Sequence, residues 1–365
     1  MKRKLMYDDA KIEFDYDPIH FLRCHSRGND PADIRTQVWH CAFEPDPDDN
    51  QRTTENFATC GGNIICFVNA RKGKVQAKYT AKDLRELFYC VAWTTLPHAN
   101  ILVAGGARGT LHFLDPNEGI ALLEQRVVQS CHVTISSLLF HPKQNNILFC
   151  GHSDGQVLVW EYDHSTPQLV HLITLEARSE VFALAFSVQH NILLAACNNG
   201  LRGWSISHKT LQNKSDNLLL LEFHFPNKGN GSQLVDSVEV LSDGLIATKC
   251  ALHGAIYLWD LGATLTTGKE TAVITHELRW TMRFLACGDD RGAIWLYDLE
   301  QEANEGNPTK VLQWPELLDT KVDHKRKLQL GVYDIVVDKV SVSWDGKFLV
   351  AATNNNMVCI WRRCS

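Results

Sequence analysis

Apolar residues in this chain come in short runs closed by an aromatic or aliphatic residue and then a polar one: ICFVN, LHFLD, VLVWE, LRGWS, IYLWD, IWLYD and VCIWR. The next-to-last positions are Val68, Leu114, Trp160, Trp204, Trp259, Tyr297 and Trp361, at successive spacings of 46, 46, 44, 55, 38 and 64 residues. A four-stranded propeller blade occupies about 40 to 45 residues. Each marker is preceded by an apolar stretch that ends in small and turn-forming residues, as in NILVAGGARG, NILFCGHSDG, NILLAACNNG and FLVAATNNN. That pattern reads as strand, tight hairpin, strand. A third element opens the units: WHCAF (39–43), YCVAW (89–93), SSLLF (136–140), FALAF (182–186), WTMRF (280–284) and VSVSW (340–344). These suit the innermost strand of a blade, which neighbours cover on both faces, so that it loses its polar alternation. The unit near DSVEVL has no aromatic in this place.

The chain therefore reads as all-β, a seven-bladed propeller with blade six shortened. From inner-strand aromatic to marker the distance is 21 residues for Trp93 to Leu114, 20 for Phe140 to Trp160, 18 for Phe186 to Trp204 and 17 for Trp344 to Trp361, but only 13 for Phe284 to Tyr297. The other copies spend the difference on a turn such as HPKQNN, whereas WTMRFLACG runs on without one. Deleting a turn from an antiparallel meander merges two strands, which predicts a three-stranded or distorted blade six between Gly262 and Asp298. Upstream, IEFDYDPIHFLRC is a strand without partners in its own unit. Pairing it with the last blade would remove the open edge. Residues 1–18 are expected to form a tail and 19–365 a single propeller.

With 365 residues, 45% of them hydrophobic, the chain can bury a sizeable core. Its formal charge of −6 argues against a protein built to grip phosphate backbones, and no sequence-specific nucleic-acid binding is expected. Short basic clusters at Lys2–Lys4 and His324–Lys327 read first as solvated loops, with a nuclear-import signal as the alternative, and the latter lies in a blade-seven insertion from Glu316 to Leu330 that is a candidate partner or import loop. Twelve cysteines are scattered singly, without a C-x-x-C spacing or a signal peptide, as in a reducing compartment. No apolar run approaches the roughly 20 residues of a membrane span.

Motifs for chemistry fail on inspection. GGARG (105–109) precedes a strand where a phosphate loop needs a helix, so it reads as a hairpin turn. No zincin, nucleophile-elbow or paired Cys/His spacing appears, so neither a metal site nor a cofactor is expected. His141, His152 and His190 fall in turns. Asp115, Asp260 and Asp298 follow their markers in repeat register and read as turn caps.

The stretches FLRCHSRGNDPADIRTQVWHCAFEPD, FATCGGNIICFVNARKGKV, FYCVAWT, CGDDRGAIWLYDL and VLQWP resemble the WD-repeat half of the leucine-rich repeat and WD repeat-containing protein 1 family, also called origin recognition complex-associated; its leucine-rich half is not among these residues. FYCVAWT with ILVAGGARGTLHFLDP is more distantly similar to the embryonic ectoderm development subunits of Polycomb repressive complex two. The resemblance implies a WD-repeat, non-enzymatic nuclear scaffold that recognises trimethylated histone tails. It further implies that the scaffold recruits or stabilises origin recognition complex subunits at heterochromatin, including centromeres and telomeres, in support of replication initiation. A Polycomb-type activator of a histone methyltransferase and a generic assembly platform are the alternatives.

Trp39, Tyr89 and Trp280 each precede their inner-strand aromatic by four residues, which places them at one height on one rim of the ring. The Polycomb resemblance implies that they are the walls of a methyllysine cage. A second aromatic of that cage is replaced by Thr281. The alternative is that all three pack between blades.

Overall fold

Runs such as IICFVN and ILLAAC carry apolar residues at nearly every position instead of every second one, which suits strands that other sheets cover on both faces. The computed structural model describes residues 15–30, 32–49, 52–96, 99–212, 218–226, 233–242, 244–253, 255–268, 271–278, 287–288, 294–296, 310–312 and 336–364. It supplies that cover by stacking small antiparallel sheets side by side.

The first strand, β1 (Tyr16–Leu22), stands apart from the sheet that follows it. Blade one is β2 (Val38–Pro45), β3 (Thr53–Gly61), β4 (Ile64–Asn69) and β5 (Lys74–Thr80), paired in chain order. Blade two follows as β6 (Phe88–Leu96), β7 (Ala99–Gly106), β8 (Thr110–Asp115) and β9 (Ile120–Arg126). Blade three is β10 (Ile135–His141), β11 (Gln144–His152), β12 (Gln156–Asp163) and β13 (Gln168–Glu176). Blade four contains β14 (Val181–Ser187), β15 (Ile192–Cys197), β16 (Gly200–Ser205) and the short β17 (Leu221–Phe223). Blade five contains β18 (Val235–Ser242), β19 (Leu245–Cys250), β20 (Ala255–Asp260) and β21 (Val273–Leu278). Next come three fragments, β22 (Cys287–Gly288), β23 (Ile294–Leu296) and β24 (Lys310–Leu312), which pair in that order. The last blade is β25 (Val337–Val342), β26 (Phe348–Thr353) and β27 (Val358–Arg363), with β1 as its fourth strand. β1 runs antiparallel to β27 from Tyr16↔Arg363 to Leu22↔Val358, and the Tyr16 hydroxyl donates to the Gly346 carbonyl at 2.6 Å. The pairing therefore begins within the stretch expected to be tail.

The cores lie between sheets. One cluster joins Phe149, Val159 and Ile173 of blade three to Leu193, Ala195 and Trp204 of blade four. Another joins Leu194 and Leu201 of blade four to Tyr257 and Trp259 of blade five. The markers Val68, Leu114, Trp160, Trp204, Trp259 and Trp361 are all buried. Inner strands touch in sequence, β2 with β6, β6 with β10, β10 with β14 and β14 with β18, while β25 packs on β2.

Among the described residues six four-stranded blades are thus present, one fewer than the seven repeats predict. In the remaining place stands the three-stranded sheet β22–β24, whose Ile294, Leu296 and Leu312 pack on Leu349, Ala351 and Trp361 of the last blade. Trp280, Thr281, Phe284, Tyr297, Asp298, the Glu316–Leu330 insertion and the basic cluster at Lys2–Lys4 lie outside the described residues.

A second correction concerns register. The last blade opens with Val337–Val342, not with residues 340–344, and Trp344 lies beyond the strand, 52% exposed beneath the Arg52 guanidinium at 4.7 Å. The turn readings hold at Asp115, Asp260 and His190, whereas His141 and His152 are the last residues of β10 and β11 and are buried. Asp115 Oδ1 accepts from the Asn117 amide at 2.8 Å, and Asp260 Oδ1 from the Ala263 amide at 2.7 Å, capping a short helix, α1 (Leu261–Thr266). His141 Nδ1 accepts from the Lys143 and Gln144 amides in its turn. GGARG closes β7 and turns into β8, with Gly109 at a φ of +63°.

Candidate functional site

All six complete blades begin their inner strand with the same irregularity. Val38 pairs with Gly61 and His40 with Cys60, so Trp39 is an extra residue with no pairing partner of its own. The same skip falls at Tyr89, Ser136, Phe182, Asp236 and Asp338. A β-bulge excludes one residue from the ladder and re-aims its side chain. The residue before each bulge, Val38, Phe88, Ile135, Val181, Val235 or Val337, is buried. The fold therefore anchors one residue in the core and presents the next at a common rim, six times over.

What the chain places on that rim is uneven. Trp39 and Tyr89, on adjacent blades, meet at a ring-centroid distance of 5.2 Å and an interplanar angle of 88°. They form a corner of two perpendicular aromatic planes. Trp39 is 37% exposed and Tyr89 half-buried, so neither is consumed by the core. Burial, reinforced by the Glu86 carboxylate, raises the Tyr89 phenol above its ordinary value and keeps it protonated at neutral pH. Phe182 occupies the equivalent place on blade four. Ser136 donates instead to the Val181 carbonyl of the neighbouring blade.

Carboxylates hold two of the positions. Asp236 pairs with Lys249 at 2.9 Å. Asp338, on the blade beside Trp39, accepts from the Gln37 amide at 2.9 Å through Oδ1, while its buried Oδ2 has no hydrogen-bond partner among the described residues. Burial pushes its carboxyl up to about 6, against the opposing Gln37 hydrogen bond.

Of the three residues that the repeat spacing put on this rim, the structure brings two together, and the third, Trp280, lies outside the described residues. Asp338 was missed because aligning the units on aromatics gave Trp344 the place of Phe43, two residues too late; counting four back from Val342 finds it. At the other end of the inner strands, a cavity of about 540 Å³ opens between blades, lined by Leu139, Leu184, Phe186, Glu239 and Val240.

Comparison with known proteins agrees with this architecture. The family model for the WD domain of leucine-rich repeat and WD repeat-containing protein 1 matches residues 8–364. The protein of that name from Xenopus tropicalis is 31% identical over 95% of this chain and 55% of its own length. The chain spans about half the length of such relatives. Polycomb protein esc of Drosophila virilis is 23% identical over 68% of the chain and 67% of its own length. Histone-binding protein MSI1 of Saccharomyces cerevisiae is 27% identical over 62% of the chain and 50% of its own.

Proposed function

Because the chain belongs to the family of leucine-rich repeat and WD repeat-containing protein 1 WD domains, we propose that it is a non-enzymatic, nuclear, chromatin-bound scaffold whose rim reads trimethylated lysine on histone tails. The observation that carries this reading is the perpendicular Trp39–Tyr89 pair. A quaternary ammonium has no N–H to donate and is weakly hydrated, so it gains more from aromatic faces than from carbonyls. Each face within about 6 Å contributes roughly 0.5 to 2 kcal/mol. In this reading β22–β24 is the reduced sixth of seven blades, Trp280 is the third wall, and Asp338 stands between that wall and Trp39 in ring order. Histone-binding is part of the printed name of one relative and Polycomb of another, which supports a histone tail as the ligand. Engagement of origin recognition complex subunits at heterochromatin belongs to the same reading.

Titration of trimethylated and unmodified histone peptides tests it. The trimethylated peptide should bind more tightly, and Trp39→Ala should weaken it by about 2- to 30-fold, one face's worth, while leaving the unmodified peptide unchanged. Equal affinity of the intact chain for both peptides would overturn the cage. Co-purification of origin-complex subunits against Polycomb subunits decides the partner.

A further inference from the structure

Where the chain leaves the closing strand β1 and passes to blade one, it brings two sulfurs and an imidazole together. The ligand atoms of Cys24, His25 and Cys66 lie within 4.8 Å of one another. Cys24 and His25 follow β1, Cys66 sits on β4, and only the pairing of β1 with the last blade lays the first two against the third.

The imidazole is set for coordination. His25 is 0% exposed, and its Nε2 lies 2.8 Å from the hydroxyl of Thr59, itself buried. Its Nδ1 is buried with no hydrogen-bond partner among the described residues. With Nε2 donating to the Thr59 oxygen, Nδ1 presents a lone pair; this is how metal-binding histidines are usually held, the far nitrogen fixing tautomer and orientation. Gly61 leaves room beside the ring, since a Cβ there would come 3.1 Å from His25 Cγ, and the His25 backbone N–H donates to Asn356 Oδ1 at 3.1 Å. Both sulfurs are free of disulfides.

We propose that Cys24 Sγ, His25 Nδ1 and Cys66 Sγ bind a thiophilic d10 cation, zinc(II), which pins the segment after the closing strand to blade one. Two thiolates and a neutral imidazole form a soft, charge-balancing donor set of a kind zinc accepts, with water in the fourth position. Binding exchanges the two thiol protons for the cation, and those protons pass to the buffer. No redox partner is needed. The site is independent of the rim and of any histone ligand.

The test uses the full chain purified under reducing conditions. Elemental analysis after dialysis should find one zinc per chain, and cobalt(II) added to the metal-free chain should give a thiolate-to-cobalt charge-transfer band with tetrahedral d–d absorption. Cys66→Ser and His25→Gln should abolish both signals, whereas Cys131→Ser, at an exposed cysteine elsewhere, should leave them intact. If the ligand variants fail to fold, Thr59→Val removes only the acceptor behind the imidazole and should weaken zinc binding by about 10- to 100-fold. Absence of stoichiometric zinc and of the charge-transfer band in the unsubstituted chain would overturn the proposal. So would a Cys24–Cys66 disulfide as the sole product of aerobic purification with zinc supplied.

Discussion

Asp338 offers the most discriminating test of how the rim is built, because a carboxylate held at a bulge must cost the fold something that Asn does not. Its ordinary value in an unfolded chain is near 3.9, and burial pushes it up to about 6 in the folded state. The folded protein thus holds the proton more tightly. The stability this contributes is fully present below the unfolded value and is lost as pH rises through about 6. At about 1.36 kcal/mol per pH unit the full linkage would be about 3 kcal/mol. The carboxyl is only partly buried, so screening reduces this to about 1.5 kcal/mol. The absolute stability curve hides the effect, since burial pushes the His152 imidazole down to about 4, against Asp154, and its contribution is lost as pH falls over the same window. A difference curve removes His152. Urea denaturation of the unsubstituted chain and of Asp338→Asn at pH 4, 5, 6 and 7 should show the variant gaining about 1.5 kcal/mol relative to the original between the extremes, whatever constant offset the new amide introduces. A flat difference would show that Asp338 is not held ionised at a cost, and a falling one that a cation absent from the described residues pairs with Oδ2.

Two substitutions examine the frame that carries the rim. Gly106→Ala would place a Cβ 1.9 Å from the Leu87 carbonyl oxygen, a backbone clash that no rotamer relieves; thermal or urea unfolding should report a loss of about 3 kcal/mol or more. Tyr16→Phe removes the hydroxyl that donates to Gly346, 330 residues away, at 2.6 Å. It should cost about 1 kcal/mol in the same assay and speed hydrogen exchange in β27, and an unchanged exchange rate there would show that this bond does not hold the closing strand.

What could be read from the sequence, and what could not, follows from which residues the fold constrains. Strands wedged between sheets must be apolar on both faces, so Trp160, Trp204, Trp259 and Trp361 announce their repeats at blade spacing, and all four are buried. Blade five is equally regular in the structure but lacks an inner aromatic, and Val240 takes that place. The Cys24–His25–Cys66 cluster was invisible because the adjacent Cys24 and His25 stand about 40 residues before Cys66 and meet it through a pairing between the two ends of the chain. No ligand spacing in the primary sequence records such a closure.

The bulge explains why the rim was legible only in part. A residue in register with a neighbouring strand must suit its partner across the ladder, and the position before each bulge obeys this with Val, Phe or Ile throughout. The bulged residue faces no partner and escapes that selection. It is accordingly Trp, Tyr, Ser, Phe and twice Asp in the six complete blades. Such a position can take an aromatic wall or a costly carboxylate without disturbing the sheet behind it. Trp39 and Tyr89 were found because each stands four places before another aromatic; Phe182 stands four before Phe186 in the same way and was passed over. Asp338 stands four before Val342, where nothing aromatic marks the count, yet the same backbone device presents it beside Trp39. Chemistry at this rim is therefore set by the bulged residues of the six complete blades on a backbone frame that repeats in each, and the two carboxylates are as much a part of it as the three aromatics.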